Sequence, residues 1–208
     1  MWGSMSHPVR PSMSITEFLD WQQLQDARHE LVDGEPVAMA GARQRHDRVT
    51  ANILGELYNQ LRGKPCRSFT ADLAVVVPEG NVRRPDAGVY CGPFDDDALV
   101  ASDPRLLLEV LSRSTRTLDQ VGKLEEYKTI EMVACIALVD PDAPEAIVWS
   151  RMPSRAWHHV TLRGLDAVIE VPEIEVALRL GDVYAGLDFA ARPRLVSGDE
   201  QGRANWNS

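Results

Sequence analysis

Apolar residues recur along this chain in two rhythms, one near every fourth position and one alternating or continuous over short runs, and the changes of rhythm mark its elements. Ser14 with Glu17 three residues on forms a capping-box pair, and Phe18, Leu19, Trp21 and Leu24 supply the apolar contacts of a short first helix between Ser14 and Ala27. Glu30-Leu31-Val32 and Pro36-Val37-Ala38-Met39 flank Asp33-Gly34, a pair suited to the positive dihedrals of a two-residue turn, so a β-hairpin follows. Val49, Ile53, Leu57 and Leu61 then repeat every four residues until Gly63-Lys64-Pro65, which predicts a second amphipathic helix from His46 to Arg62. Short β-rich runs come next at Cys66–Thr70, Leu73–Val77, Ala87–Tyr90, Leu106–Leu111, Cys135–Val139, Ala146–Arg151 and Trp157–Leu162. Thr117-Leu118-Asp119-Gln120 is a further capping box, opening a third helix that runs to about Thr129. The order predicts an α/β or α+β fold, one mixed β-sheet flanked by helices, within a single domain over 13–190 between polar tails at 1–12 and 191–208.

With 208 residues and 44% hydrophobic content, the chain has room for one globular core. It has neither the roughly 20 consecutive apolar residues of a membrane span nor a basic-then-apolar N-terminus, so a cytoplasmic protein without a membrane partner is expected. Cys66, Cys91 and Cys135 are odd in number and scattered, which argues against a disulfide framework or a Cys-rich zinc site and for small core residues. The net charge of −9 is a poor match to a protein that coats nucleic acid. Locally, however, Arg43, Arg45, Arg48, Arg62, Lys64 and Arg67 meet only Asp47 and Glu56 between residues 41 and 67. That run is either a basic face or a solvated helix surface with basic ends.

Candidate chemistry centres on Leu106-Leu107-Leu108-Glu109-Val110-Leu111, apolar except at Glu109. Continuous apolarity marks a strand covered on both faces, so Glu109 is expected to be buried. A buried carboxylate left unpaired costs several kcal/mol, so it needs a cation beside it, and burial alone does not separate an arginine from a metal ion. The second acid follows Arg83-Arg84-Pro85, where proline fixes the chain's entry so that Asp86 stands at the first residue of a strand. Two carboxylates on neighbouring strands can bind a hard cation, which can activate water and offset charge on a phosphoryl group. Asp95-Asp96-Asp97 and Asp140-Pro141-Asp142 read as a loop and a strand end. His158 and His159 point to opposite faces of one strand. Phosphate-binding glycine loop, GxSxG elbow and HExxH helix are all missing, which removes the usual support for nucleotide hydrolysis, serine esterase chemistry and zinc proteolysis.

Ordered segments carry a family resemblance over about residues 14–151: His29-Glu30-Leu31-Val32-Asp33-Gly34-Glu35, His46 opening a helix, Arg84-Pro85-Asp86, Leu107-Leu108-Glu109-Val110-Leu111-Ser112, Ser114-Thr115, Asp119 with Lys123 and Tyr127, and Leu138-Val139-Asp140-Pro141. In these the chain resembles the Uma-type family of restriction-endonuclease-like proteins, within the PD-(D/E)xK nuclease superfamily. The resemblance implies a restriction-endonuclease-like core in which Asp86 and Glu109 ligate Mg²⁺ or Mn²⁺, with the Val110 carbonyl as a further ligand and Glu30 completing the acidic cluster. The superfamily lysine would stand two residues after the glutamate, where this chain has Leu111; a helix lysine, matched by Lys123, takes the role in the resembled family. It would orient or deprotonate the attacking water and stabilise phosphoryl charge. His46, with Arg43, Arg45 and Arg84, is then the candidate contact to a DNA substrate. The implied activity is that of a metal-dependent endonuclease.

Plainer roles exist for the same residues: an Asp119–Lys123 surface ion pair, a solvent-facing Glu30 at the hairpin base, and a packing role for His46. Leu111 and the acidic net charge also leave open a nuclease-fold module that binds nucleic acid or protein without turnover. A homodimer is expected only from the prevalence of two-fold assemblies. Val133-Ala134-Cys135-Ile136-Ala137 departs from the aromatic pair usual in the family before its Leu-Val-Asp-Pro strand.

Overall fold

A computed structural model describes residues 12–112 and 119–189 of the chain. Helix α1 (Ile15–Gln22) starts at a complete capping box: Ser14 Oγ accepts from the Glu17 amide, and the Glu17 carboxylate accepts from the Ser14 amide. The hairpin β1 (His29–Val32) and β2 (Glu35–Ala38) turns at Asp33 and Gly34, with φ of 50° and 77°, the twin positive dihedrals that Asp-Gly tolerates. Helix α2 (Gln44–Leu61) buries the stripe Val49, Ile53, Leu57 and Leu61. There follow β3 (Arg67–Thr70), β4 (Val75–Val76), β5 (Val82–Arg83), β6 (Ala87–Tyr90), β7 (Pro104–Val110), α3 (Asp119–Thr129), β8 (Cys135–Asp140), β9 (Glu145–Arg151) and β10 (Trp157–Arg163). A short hairpin, β11 (Val168–Val171) with β12 (Val176–Arg179), leads into α4 (Leu180–Val183).

The strands form two main sheets where one was expected. The larger has six strands in the order β10-β9-β8-β7-β6-β3, and the smaller has four in the order β2-β1-β5-β4. The Leu73–Val77 run therefore leaves the main sheet: only Val75–Val76 is strand, and it pairs with β5. In the main sheet β7 and β8 are parallel and the other pairs antiparallel, so the chain crosses from β7 to β8 through α3. The Thr117–Gln120 capping box falls at residues outside the described ones or without described side chains.

Alternation along β7 divides the core. Leu106, Leu108 and Val110 face α2 and the C-terminal hairpin, packing with Ile53, Leu57, Ala137, Val139, Ile169 and Leu178. Leu107 faces the other way, under α3, with Ile136, Tyr127, Leu124 and Val133. Both faces of β7 are covered, as the apolar run Leu106–Leu108 requires, and Glu109 shares the α3 face with Leu107 because side chains alternate. Phe18, Leu31, Ala74 and Val82 form a third cluster between α1 and the smaller sheet.

The cysteines overturn one expectation. Cys66 and Cys91 form a disulfide, their Cα atoms 4.1 Å apart. The β3–β6 pairing explains it: Arg67 lies opposite Tyr90, so the next rung sets Cys66 against Cys91, a cross-strand juxtaposition that sequence spacing does not reveal. Cys135 is the expected small core residue, its thiol pushed up to about 12 by burial. Among the described residues, no helix is long and apolar enough to cross a membrane.

Candidate active site

Two strand ends and one helix bring the candidate residues together. Asp86 precedes β6, and the antiparallel register Ala87 to Leu108 carries on to bring Asp86 alongside Glu109 of β7. The Val110 amide donates to Asp86 Oδ2 at 2.8 Å, which fixes that carboxylate at the strand end. From α2, His46 Nε2 lies 3.3 Å from the same oxygen. The hydrogen bond to Asp86 raises the His46 pKa above its ordinary value, against the pull of burial, and the Val110 carbonyl adds to the effect.

Helix α3 covers this pair with three side chains spaced to share one helix face, Lys123, Glu126 and Tyr127. The Tyr127 hydroxyl donates to Glu109 Oε1 at 2.7 Å. Lys123 Nζ stands 3.9 Å from Glu109 Oε1 and 2.9 Å from Glu30 Oε1. Burial pushes the Glu109 carboxyl up to about 7, a shift that the Asp86 charge reinforces and the Lys123 ammonium and Tyr127 hydrogen bond resist. Burial pulls the Lys123 amine down, but Glu109 and Glu30 outweigh it and leave the amine above its ordinary lysine value.

Glu30 is buried, not solvent-facing, because β1 lies between β2 and β5 and the cations behind it need a partner. Arg83 Nη1 donates to Glu30 Oε2 at 3.1 Å and the Arg84 amide to Oε1 at 2.9 Å. Arg83 also makes a bidentate pair with Glu126, Nε to Oε2 at 2.6 Å and Nη2 to Oε1 at 2.7 Å, and Asn81 Nδ2 donates to the same Glu126 at 2.9 Å. Burial lowers the Arg83 pKa, yet Glu126 and Glu30 more than compensate.

The arginines expected at the substrate divide. The Arg84 guanidinium is buried and donates through Nε and Nη1 to the carbonyls of His29, Ala71 and Asp72, so it ties loops together while also lining the cavity. Arg45 donates to the carbonyls of Pro141 and Asp188 and lies over the Phe189 ring, again a structural role. Arg43 is half exposed, pairs with Asp142 among the described residues, and lines the site. A cavity of about 490 Å³ opens over the cluster, lined by Glu30, His46, Asp86, Glu109 and Lys123 together with the stretch Val37 to Arg43. Leu111 also lines it, an apolar group at the position where the superfamily motif carries its lysine.

Among the described residues, no three His, Cys, Asp or Glu side chains are arranged to hold a metal ion. The donors that lie together are the Asp86 and Glu109 carboxylates and the adjoining Val110 carbonyl. All are hard oxygens, and Mg²⁺ is commonly held by one or two carboxylates while keeping several waters. A buried carboxyl beside a second acid is also the environment that a cation relieves. The residues therefore fit such an ion.

A mixed sheet flanked by helices, with α3 crossing between its parallel strands, is a nuclease-like fold. Residues 15–181 match the Uma2 family, described as "Putative restriction endonuclease", and the chain belongs to that family. The match extends beyond Arg151 to take in the β11–β12 hairpin. Two uncharacterized proteins of Synechocystis sp. (strain ATCC 27184 / PCC 6803 / Kazusa) are similar. One is 29% identical over 181 residues, covering 86% of this chain and 95% of its own. The other is 25% identical over 162 residues, covering 76% and 92%. A crystal structure from Anabaena variabilis ATCC 29413, described as "a putative nuclease belonging to DUF820", shares the fold with a TM-score of 0.64 at 17% identity, covering 82% of this chain and 97% of that one.

Arg83, Asn81 and Glu126 were not singled out from the sequence. The available signal was Lys123, Glu126 and Tyr127 at i, i+3 and i+4, which puts a second acid and a tyrosine on the face carrying the lysine.

Proposed function

We propose that this protein is a metal-dependent endonuclease that hydrolyses DNA phosphodiester bonds. Asp86, Glu109 and the Val110 carbonyl would hold Mg²⁺ or Mn²⁺, which supplies Lewis acidity and lowers the pKa of a bound water. The observation that carries the reading is the strand-end pairing of Asp86 with Glu109, with the Lys123 amine 3.9 Å from Glu109. Held by Glu30 at 2.9 Å and standing 3.9 Å from Glu109, the Lys123 ammonium would serve as a cation for developing phosphoryl charge. It thereby supplies from α3 the amine that Leu111 does not. Arg43, which lines the cavity and is half exposed, would supply a positive charge toward a phosphate backbone, while His46 would hold Asp86 in place.

The test is nicking of supercoiled plasmid by purified protein in Mg²⁺ or Mn²⁺, with EDTA as the control. Wild type is expected to nick and Glu109→Ala to be inactive; activity that persists in Glu109→Ala overturns the assignment. The competing reading, a nuclease-fold binding module without turnover, rests on Leu111 at the motif position and on the net charge of −9. Metal-dependent nicking by wild type excludes it.

A further inference from the structure

Glu30, the most buried carboxylate of the cavity, has no part in that scheme. Its side chain is 8% exposed and both oxygens are engaged, Oε1 by the Arg84 amide and Lys123 Nζ and Oε2 by Arg83 Nη1. Joining a shared metal would require it to release one of these donors, and Arg83 and Lys123 are themselves buried cations that need a counter-charge.

The distances at Lys123 are unequal. Its amine makes a 2.9 Å hydrogen bond to Glu30 but stands 3.9 Å from Glu109, beyond hydrogen-bond reach. Glu109 thus feels the ammonium charge without giving it a lone pair. Behind Glu30, Arg83 bridges to Glu126, which lies one turn beyond Lys123 on α3. One arginine therefore grips both the carboxylate that holds the lysine and the helix that carries it.

We propose that Glu30 is the positioning residue for Lys123, not a metal ligand, and that the Arg83–Glu126 pair locks α3 so that the amine is poised short of Glu109. The kinetic consequence rests on the nuclease reading above; the placement of the amine does not.

Four proteins test this: wild type, Glu30→Gln, Lys123→Met and the double variant, each measured for Mn²⁺ affinity by calorimetry and for kcat and KM on plasmid. Glu30→Gln is expected to lower kcat about 10- to 100-fold, the usual cost of losing an outer-layer partner, with KM for DNA little changed. In the Lys123→Met background the same change is expected to alter neither kcat nor Mn²⁺ affinity. Losses that multiply in the double variant, or Mn²⁺ binding at least about tenfold weaker than in Lys123→Met alone, overturn the proposal. A crystal structure of Glu30→Gln gives an arm independent of cleavage: the Lys123 amine is expected to have moved, and an unmoved amine contradicts the proposal. Should Glu30→Gln not fold, Glu126→Gln, 18% exposed in wild type, is read for the same displacement and kcat loss. If wild type fails to cleave in any metal, the nuclease reading fails while the Mn²⁺ and crystal arms still decide the role of Glu30.

Discussion

The Tyr127 hydroxyl donates a 2.7 Å hydrogen bond to Glu109, binding helix α3 to the one acid of strand β7. Both groups lie deep, so the bond satisfies a carboxylate that water reaches poorly. Tyr127→Phe keeps the packing and removes the donor, and a destabilisation of about 1–3 kcal/mol is expected, the cost of leaving a buried acceptor without its partner. Urea unfolding at pH 8 measures it; an unchanged midpoint would mean that water replaces the hydroxyl.

Glu109 also makes stability depend on pH. Its folded pKa of about 7 lies above the ordinary 4.5, so the folded state holds that proton more tightly than the unfolded chain. The stabilisation from protonation is complete below 4.5 and is lost as pH rises through about 7. In EDTA, the stability difference between Glu109→Gln and wild type should move in favour of the variant between pH 5 and pH 8. Added Mn²⁺ should restore the wild type at pH 8 and leave the variant unaffected. A difference that is flat with pH would show that Glu109 ionises as an ordinary surface acid.

Two arginines near the cavity should behave in opposite ways. Arg83 is 4% exposed and shared by two carboxylates, so Arg83→Leu takes the bidentate cation from Glu126 and one of two cations from Glu30 and is expected to cost about 3–5 kcal/mol. Arg43, 50% exposed, pairs with Asp142 among the described residues, so Arg43→Ala should change stability by less than about 1 kcal/mol. If Arg43 meets a phosphate, its loss should weaken binding to duplex DNA and reduce the log–log salt slope by about 0.9. Thermal unfolding and fluorescence anisotropy across a salt series separate the two effects, and an unchanged slope removes Arg43 from the DNA-facing surface.

Elements with strong local rhythm were legible in the sequence, and contacts made across long separations were not. The α2 stripe, the Asp33-Gly34 hairpin and the β6 and β7 runs are all written in neighbouring residues. With β6 and β7 come Asp86 and Glu109. β5 is two residues long and does not stand out by periodicity, whereas Val168–Val171 and Val176–Arg179 do alternate and were legible signals that the expected strands leave out. The division into two sheets depends on β1 choosing β5, a pairing between residues about fifty positions apart. The Arg83–Glu126 grip and the Cys66–Cys91 bond arise the same way, from tertiary register and not from local pattern.

The disulfide should act on stability alone, because it ties β3 to the end of β6 opposite Asp86. Closing a loop with a sequence separation of 25 stabilises by up to about 3.5 kcal/mol in the chain-entropy description. Cys66→Ser with Cys91→Ser is expected to lower Tm while leaving metal-dependent nicking per folded molecule intact. A double variant that keeps the wild-type Tm in both oxidising and reducing buffer would contradict the bond's stabilising role.

The most direct measurement is an anomalous difference map from a crystal soaked in Mn²⁺. One peak is expected about 2.1 Å from carboxylate oxygens of both Asp86 and Glu109, near the Val110 carbonyl, with the Lys123 amine beside it and not bound to it. A map with no peak there, or with the ion held by Glu30 in place of Glu109, would contradict the assignment of Asp86 and Glu109 as a shared metal site.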